Sequence, residues 1–409
     1  EELMARPDIL VGVEVGTSKV CVVVGEIGRE GTLRILGVGL APSRGVRKGE
    51  IVDIAVATEC VHDALADAET NSDAEIGSVF VATTGSHIRS FNSRGAIAIP
   101  SDRYEIDDSD VQEVAVKARE VNIPTENHFL HSIIQHYYVD GQQGVLNPIG
   151  MVGRKLEADF HIIHGVRTRM QNTLRCIRES GVEIDEIVVN SLASAQAVLD
   201  EHQKELGAVV IDIGGGVTDY IVYENGVVRH SGVLAVGGDH ISNDISLGLR
   251  IPLTRAEKLK IDEGSANLEG GTPGEKIVLK NDAGFAGKEI ERELLNNIIR
   301  SRLQESLELV KKQIEAEVSP RMLGAGIILT GGCSLLRGIK EISESIFELP
   351  VHLARDTGVS GPKSVLNNPQ YSTAIGLIKF AQALRAEIER PGIIGSVLER
   401  IGGIFRKRG

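Results

Sequence analysis

Tryptophan is absent from the sequence, and phenylalanine and tyrosine supply only 3% of its 409 residues. The hydrophobic core is therefore expected to consist mainly of Val, Ile, Leu and Ala. The four cysteines, Cys21, Cys60, Cys176 and Cys333, lie far apart and form no Cys-x-x-Cys pair. This pattern argues against a disulfide framework and a zinc ribbon, and it fits a reducing compartment. No apolar run is long enough to cross a bilayer as a helix.

Positive charge is also scarce, since 44 lysines and arginines stand against 57 aspartates and glutamates, for a net charge of −13. An acidic surface repels phosphate backbones, so no nucleic-acid partner is expected. Apolar residues at 42% and charged residues at 25% are ordinary for a folded protein, which excludes bulk disorder. The 46 glycines against 12 prolines predict many tight turns.

Apolar strands around glycine turns occur twice along the chain. The first group is predicted over 9–15, 19–25 and 33–40, and residues 208–236 repeat the order strand, glycine turn, strand, turn, strand. We therefore predict an α/β fold with two related halves. Between the halves, residues 86–164 contain alternating polar strands and one helix with an acidic start, which predicts a small inserted subdomain. Long helices are predicted over 289–318 and 371–390.

Three glycine turns at strand ends share one composition. They are EVGTSK at 14–19, DIGGGVTD at 212–219 and TGGCS at 330–334. Glycine lets backbone N–H groups approach a phosphate closely, and Thr and Ser hydroxyls add donors. Glu14 and Asp212 would repel a polyphosphate unless a hydrated Mg²⁺ lay between them. The three turns together predict a nucleotide site with Mg²⁺.

Each turn taken singly is better explained as the closure of a hairpin. Three such turns in order, each after an apolar strand and two with an acid at the same place, are far more specific for phosphate. Neither GxxxxGK[ST] nor GxGxxG occurs in the sequence, so P-loop and Rossmann sites have no local support.

The three turns resemble the two phosphate loops and the adenosine loop of the actin, Hsp70 and sugar-kinase superfamily. GGD at 237–239 resembles its second glycine pair, AEKLK at 256–260 its adenine-side helix, and YSTAIG at 371–376 the helix that connects its halves. Within this superfamily, the chain is similar to the FtsA-type bacterial cell-division proteins. That resemblance is carried by GVEVGTSKV, GVGLAPSRGVRKGEIVD, VVIDIGGGVTDYIVY and ILTGGCSLLRG, and it extends over residues 9–409.

The resemblance implies an actin-like two-lobed α/β fold made of two related ribonuclease-H-like halves, with an inserted small α/β subdomain and a C-terminal amphipathic helix. The expected parts follow the family's plan. They are a first core subdomain (1–85 plus 165–192, completed by the connecting helix 371–390), the inserted subdomain (86–164), a second core subdomain (193–240 plus 320–370), an upper subdomain of the second lobe (241–319) and a membrane-targeting helix (391–409).

The same resemblance places ATP or ADP with Mg²⁺ between the two lobes. Glu14 and Asp212 are the candidate catalytic residues, and they would hold the metal through water. The residues expected around the nucleotide are Gly16, Thr17, Ser18, Lys19, Gly214, Gly215, Gly216, Thr218, Gly237, Gly238, Glu257, Lys260, Gly331, Gly332 and Ser334. The chaperone branch has a glutamate aligned with Ser191 that positions the attacking water. Because Ser191 cannot act as an ionised base, at most a slow ATPase is expected, with nucleotide mainly regulating conformation.

The resemblance also implies a protein that polymerises into actin-like filaments at the cytoplasmic face of the membrane, at the division site. Such a protein anchors the ring of the tubulin-like protein FtsZ and recruits later division proteins. The acidic, apolar C-terminal peptide of FtsZ is expected to dock on the long helix of the second lobe and its preceding loop, near Lys288, Arg292, Arg300 and Arg302. An ordinary solvated helix face explains these four cations equally well.

Residues 391–409 concentrate positive charge on an otherwise acidic chain. Ile394, Val397, Leu398, Ile401 and Phe405 follow i, i+3, i+4, i+7, i+11, which is one face of a helix. The cations Arg400, Arg406 and Lys407 suit anionic lipid headgroups. A helix of this length spans about 20 Å, too short to cross a membrane, so we predict a peripheral membrane anchor. The alternative is a C-terminal helix that packs on the body.

Two other functions are compatible with the same fold. A sugar or acetate kinase would need a substrate-facing carboxylate base in the cleft and no membrane anchor. Another actin-like assembly protein, for cell shape or for a pilus, would share the phosphate loops. The basic amphipathic tail and the Glu14 motif favour the cell-division hypothesis over both.

Overall fold

The computed structural model describes residues 8–28, 31–100, 103–267, 274–281, 285–355 and 358–389. The strands are β1 Asp8–Val15, β2 Lys19–Ile27, β3 Leu33–Pro42, β4 Val46–Arg47, β5 Glu50–Ile51, β6 Ser78–Thr83, β7 Arg89–Ala98, β8 Asn127–Val139, β9 Gln142–Val145, β10 Lys155–Val166, β11 Glu183–Val189, β12 Ala208–Ile213, β13 Thr218–Glu224, β14 Val227–Leu234, β15 Lys276–Leu279, β16 Lys288–Glu291, β17 Gly326–Thr330, β18 Val351–Leu353 and β19 Val359–Ser360. The helices are α1 Ile54–Ser72, α2 Asp108–Arg119, α3 Arg167–Glu179, α4 Asn190–Val198, α5 Glu201–Leu206, α6 Gly238–Leu249, α7 Leu253–Glu263, α8 Arg292–Glu315, α9 Ile339–Phe347, α10 Lys363–Leu366 and α11 Ser372–Glu389.

Two mixed sheets with one common plan form the two lobes. The first has the strand order β11-β6-β1-β2-β3-β19, and the second has the order β14-β13-β12-β17-β18. In each, three consecutive strands pair antiparallel, and the first of them also pairs in parallel with a later strand. The matching plan confirms the predicted α/β fold of two related halves.

Burial explains why these segments form strands and why the first lobe's helix stops where it does. The middle of β2, from Val20 to Val24, is fully buried, as expected for a strand covered on both faces. The Asp53 side chain caps α1 by accepting a hydrogen bond from the Val56 N–H at 3.2 Å. The helix ends at Asp73, which adopts the left-handed conformation with φ of +53°. It therefore spans 19 residues, from Ile54 to Ser72.

Helices α4 and α11 join one continuous core with both sheets. This core takes in buried residues of β1 and β2 and of α4 and α11, and also Val210 and Ile221 of the second sheet. Helix α11 approaches β1 and α4 closely because a glycine lies at each of these two contacts. A Cβ added to Gly12 of β1 would lie 2.5 Å from the Ala374 carbonyl oxygen, and one added to Gly376 of α11 would lie 1.7 Å from that of Ala193.

The inserted subdomain is an antiparallel sheet with the order β7-β10-β8-β9, covered by α2. Its helix begins at a capping box between Asp107 and Asp110, as its acidic start predicts. The insert also contacts the second lobe at the edge strand β14. The side chains of Ser90, Asn92 and Gln135 donate to the carbonyl oxygens of Ser231, Arg229 and Val228 at 2.6, 3.1 and 2.7 Å.

The upper part of the second lobe contains elements that the sequence analysis did not assign. They are α6 and the hairpin whose strands are β15 and β16. Lys288 is the first residue of β16, and the predicted helix over 289–318 begins only at Arg292. The expected boundary between residues 192 and 193 falls inside α4. The predicted amphipathic helix over 391–409 lies outside the described residues. Among the residues that are described, no helix is both long and apolar enough to cross a membrane.

The close contact of α11 with α4 yields a test of the packing. Replacing Gly376 with alanine should lower the free energy of unfolding by about 1–3 kcal/mol, because the new methyl group forces the two helices apart. The matched control is Gly77→Ala, where an added Cβ meets nothing within 4 Å. That change should stay within about 0.5 kcal/mol of the parent protein in urea unfolding. Equal stability of the two variants would contradict the packing.

Candidate functional site

The first predicted phosphate loop is a tight turn between β1 and β2. The Gly16 N–H donates to the Lys19 carbonyl oxygen at 2.9 Å and closes the turn. A Cβ on Gly16 would lie 2.9 Å from that same oxygen, so only glycine fits without strain. The turn leaves Thr17 and Ser18 at its tip. The Lys19 ammonium lies 3.5 Å from the Glu14 carboxylate.

The second loop repeats this geometry in the other lobe. The Gly214 N–H donates to the Val217 carbonyl oxygen at 2.9 Å, which is the counterpart of the Gly16–Lys19 bond. The two loops face each other across the cleft between the lobes. A Cβ on Gly216 would lie 2.5 Å from the Thr17 hydroxyl oxygen. The backbone of the second loop therefore packs against the Thr17 side chain of the first, which leaves no room for a side chain at position 216.

The third turn follows β17 and lies against the second. Gly331 has φ of +83°, and a Cβ there would lie 2.3 Å from the Asp212 carboxylate, so this position also requires glycine. The Ser334 hydroxyl donates to the Gly331 carbonyl oxygen at 2.7 Å and holds the turn. Ser334 thus shapes the loop from outside the cleft lining.

The three turns enclose one cleft with about 580 Å³ of empty space, part of it open to solvent. Many residues that line it were predicted from the sequence: Glu14, Gly16, Thr17, Ser18, Lys19, Asp212, Gly214, Gly215, Gly216, Gly331 and Gly332. Others were not: Gly49, Thr84, Asn190, Val217, Asp219, Pro369, Gln370 and Thr373. The structure therefore brings the three distant motifs together at one place.

Asp212 lies at the centre of the cleft and receives hydrogen bonds from both helices that lie between the sheets. The Ser194 hydroxyl of α4 and the Thr373 hydroxyl of α11 donate to its carboxylate at 2.5 and 2.9 Å. Burial raises the pKa of Asp212, and these two hydrogen bonds oppose the increase. Sequence reasoning missed both hydroxyls.

Asp219 is a second buried carboxylate of the cleft, directly across the strand pair from Asp212. It accepts a hydrogen bond at 2.6 Å from the Thr84 hydroxyl, which belongs to the first lobe and directly precedes the inserted subdomain. Burial and then the nearby Asp212 charge hold the pKa of Asp219 well above its usual range. Like charges opposite each other in a sheet are unfavourable without a cation.

The charges of the cleft fit a divalent cation held through water. Burial raises the pKa of Glu14, and Asp212 adds to the increase, with only Lys19 nearby to offset it. The buried Asn190 side-chain oxygen also lines the cleft and has no hydrogen-bond partner in the described part of the chain. However, the described residues include no cluster of three acidic, His or Cys side chains close enough to hold a metal directly. Water-mediated contact is the arrangement that these residues fit.

The remaining predicted nucleotide residues lie behind the loops. Gly237 and Gly238 pack on the second loop, where the Gly238 N–H donates to the Gly214 carbonyl oxygen at 2.9 Å. The Lys260 ammonium donates to the Gly238 carbonyl oxygen at 3.1 Å and to Glu257 at 2.7 Å. The Thr218 hydroxyl donates to the Val236 carbonyl oxygen at 2.8 Å. These five residues form a continuous layer beside the cleft, and none of them lines it.

Asp219 offers a stability test that does not depend on any ligand. A carboxyl whose folded pKa is raised favours folding when protonated, and this contribution is lost as the pH rises through the raised value. Asp219→Asn keeps an acceptor for Thr84 and removes the charge. In metal-free buffer at pH 7.5, it should raise the free energy of unfolding by about 1 kcal/mol or more, since one pKa unit corresponds to about 1.4 kcal/mol.

The gain should shrink as the pH falls toward 3, where the Asp219 carboxyl is protonated in the folded chain and largely protonated in the unfolded chain as well. Asp185→Asn is the control, because Asp185 is a surface residue whose hydrogen bond with Ser78 is exposed. A loss of stability in Asp219→Asn at pH 7.5 would show that its charge is compensated in the metal-free protein.

Two solved structures illustrate the likeness of this architecture to known proteins, both at low sequence identity. The PilM–PilN type IV pilus biogenesis complex matches with a TM-score of 0.65 and 16% identity, over 90% of this chain and 97% of that chain. MreB5 of Spiroplasma citri bound to ADP matches with a TM-score of 0.56 and 17% identity, over 93% and 98%. At this identity the likeness establishes the actin-like fold alone.

Sequence relatives are much closer. The family model for cell division protein FtsA matches residues 209–376, and the model for the SHS2 domain inserted in FtsA matches residues 85–164. Cell division protein FtsA of Neisseria meningitidis is 39% identical over 95% of this chain and 94% of its own length, and that of Pseudomonas aeruginosa is 37% identical over 95% and 93%. The Escherichia coli K12 protein is 32% identical over 98% of both chains. The chain therefore belongs to the FtsA family of actin-like cell division proteins.

Proposed function

We propose that the cleft binds ATP or ADP together with Mg²⁺. The observation that carries the proposal is the meeting of two equivalent glycine turns, one from each lobe, directly over buried carboxylates. Backbone N–H groups of such turns bind phosphate oxygens, and the Thr17 and Ser18 hydroxyls add donors. The third turn lines the same cleft, and the layer around Gly238 and Lys260 lies beside it, so the nucleoside would bind on this side.

The chain's own residues account for how metal and nucleotide would be oriented. Mg²⁺, when bound, would supply positive charge that screens the phosphates from the carboxylates. Glu14 and Asp212 would hold its waters, and the orphan oxygen of Asn190 would accept a hydrogen bond from one of them. The hydrogen bonds from Ser194 and Thr373 fix the Asp212 carboxylate in place for this role. These supports would keep the metal position the same in either nucleotide state.

Nucleotide would act mainly on conformation, with slow hydrolysis at most. Ser191, the position at which a chaperone relative carries a glutamate, is buried in α4 and has no ionisable group. Asp219 is already engaged by Thr84 and is favoured in its protonated form, which weakens it as a base at neutral pH. The bound nucleotide would instead set how the two lobes meet.

Replacing Asp212 tests the nucleotide site. Asp212→Asn keeps acceptors for Ser194 and Thr373 but removes the charge beside the metal. In equilibrium dialysis with Mg²⁺, it should weaken ATP binding at least about tenfold, and the loss should be much smaller when EDTA replaces the metal. Asp185→Asn should bind as the parent protein does. Unchanged Mg²⁺-dependent affinity in Asp212→Asn would refute the assignment.

We further propose that the protein works at the division site as a peripheral protein on the inner face of the membrane, assembled into filaments. The connecting helix α11 carries the chain toward residues 391–409. Near its end, Arg385 forms an ion pair with Asp8, at the end of β1 opposite the cleft. A strand of eight residues is about 25 Å long, so a membrane-bound tail would hold the cleft away from the lipid surface. In a filament, many tails would bind the membrane at the same time, so their individually weak affinities would combine into strong attachment.

Substitutions in residues 391–409 test the proposed attachment to the membrane. Leu398→Glu combined with Ile401→Glu should abolish co-sedimentation with anionic liposomes, since it places charge on the apolar face. Nucleotide binding and thermal unfolding should not change. The control is Glu399→Gln, which alters a polar position of the same segment. Wild-type sedimentation of the double variant would favour a tail packed on the body instead.

We propose a groove between α6 and α8 as the docking site for the C-terminal peptide of FtsZ. The groove is lined by Leu247 and Ile298 together with Arg302, and Leu247 is 69% exposed.

The four cations predicted to bind the peptide already have partners within the protein. Arg302 pairs with Asp244 and Glu305, and Arg292 pairs with Glu263 and Glu275. Lys288 donates to the Leu249 carbonyl oxygen and Arg300 to that of Ala266. An acidic peptide would therefore compete with internal carboxylates for Arg302.

A phosphotransferase function is not favoured. The relatives that match almost the full chain are cell division proteins, and the family models for cell division protein FtsA and for its inserted SHS2 domain match residues 209–376 and 85–164. No observation of the cleft identifies a substrate site beside the one proposed for nucleotide.

A further inference from the structure

A short hairpin of the first lobe lies over the junction of the two phosphate loops. Its strands β4 and β5 are joined by Lys48 and Gly49. The Gly49 N–H donates to the Thr17 hydroxyl oxygen at 3.0 Å. A Cβ on Gly49 would lie 2.7 Å from the Thr84 side chain. Behind the tip, Glu50 pairs with Arg169 at 2.8 Å and accepts from Ser86 at 2.9 Å, so the hairpin is held on both sides.

The tip also touches the opposite lobe. A Cβ on Gly216 would lie 2.9 Å from Cα and 3.0 Å from N of Lys48. Lys48 has φ of +52°, a left-handed conformation that is uncommon for a residue with a long side chain. Such strain persists where surrounding contacts impose it, and it is concentrated at functional sites. The hairpin therefore brings a lysine to the point where both loops converge.

The side chain of Lys48 is half-buried, and within the described ranges its ammonium has no ion-pair or hydrogen-bond partner. The neighbouring Arg169 and Lys19 both have carboxylate partners. After burial, the Lys48 charge is the next cause that lowers the pKa of His240, so its field reaches the first turn of α6 in the second lobe. An unpaired cation at this place suits an anion at the loop junction.

We propose that Lys48 contacts the terminal phosphate of a bound nucleoside triphosphate and makes the cleft prefer the triphosphate to the diphosphate. This inference rests on the proposed nucleotide site. With the nucleoside at the end of the cleft near Gly331, the phosphate chain runs toward Thr17 and Gly216. The last phosphate of the triphosphate then lies at the hairpin tip, while the shorter diphosphate ends before it. The terminal phosphate then links the Lys48 ammonium to the second lobe's loop, a link that the diphosphate does not make.

The test compares the affinities for ATP and ADP, each with Mg²⁺, in the full chain. Lys48→Met should lower ATP affinity about tenfold, the loss expected for one charge-assisted hydrogen bond, and change ADP affinity less than twofold. Lys48→Arg should restore most of the ATP preference. Lys48→Asn is a second neutral variant, since asparagine tolerates the left-handed backbone, and it should behave as Lys48→Met does.

Arg47→Met is the matched control, because it removes the same charge from the adjacent, exposed position. It should leave both affinities unchanged. Equal losses for ATP and ADP in Lys48→Met and Lys48→Asn, no loss in either, or an equal effect of Arg47→Met would overturn the role of Lys48 and leave the nucleotide site standing. Failure of the parent protein to bind either nucleotide would overturn both proposals.

Discussion

The hydrogen bonds that Ser194 and Thr373 donate to Asp212 are the interaction on which the rest of the structure depends. They tie the end of a second-lobe strand to α4 and α11, the two helices whose core residues also pack on the first sheet. Ser194 and Thr373 are themselves within hydrogen-bond distance, at 2.9 Å. A buried carboxylate is costly unless it is well bonded, so the proposed metal-binding acid is also the polar centre of the contact between the halves.

Close backbone approach determines the shape of the cleft. Gly216 faces Thr17, Gly331 faces Asp212, and Gly237 lies against the second loop, all at distances that a side chain would forbid. The surfaces that would meet phosphate are therefore mostly main chain, whose N–H groups are held by the surrounding turns. Main-chain N–H groups do not by themselves distinguish one polyphosphate from another. Discrimination among polyphosphates must therefore come from the few side chains around this surface, such as those of the β4–β5 hairpin in the first lobe.

Local pattern was enough to predict the first three strands of each large sheet and the glycine turns between them. Gly16 and Gly214 occur in turns between apolar strands, and that pattern is visible within ten residues of sequence. The supporting side chains come from far away, since Thr373 lies 161 residues from Asp212 and Thr84 lies 135 residues from Asp219. No local sequence spacing relates Thr373 to Asp212 or Thr84 to Asp219. Each hydroxyl lies in a segment whose sequence predicts only that it is buried. The hairpin β15–β16 of the upper second lobe was missed for another reason, because the glycine-rich sequence around it shows no strand pattern.

The side-chain bonds between the insert and β14 have a consequence for solubility. β14 is the outermost strand of its sheet, and an uncovered strand edge is a template for pairing with other chains. Ser90, Asn92 and Gln135 occupy the carbonyl oxygens along that edge without adding a strand to it. A chain that lacked residues 86–164 would therefore lose more than a subdomain. It would also expose the edge of β14, which could then pair with strands of other chains. Aggregation of such a deletion variant would therefore say nothing about what the insert binds.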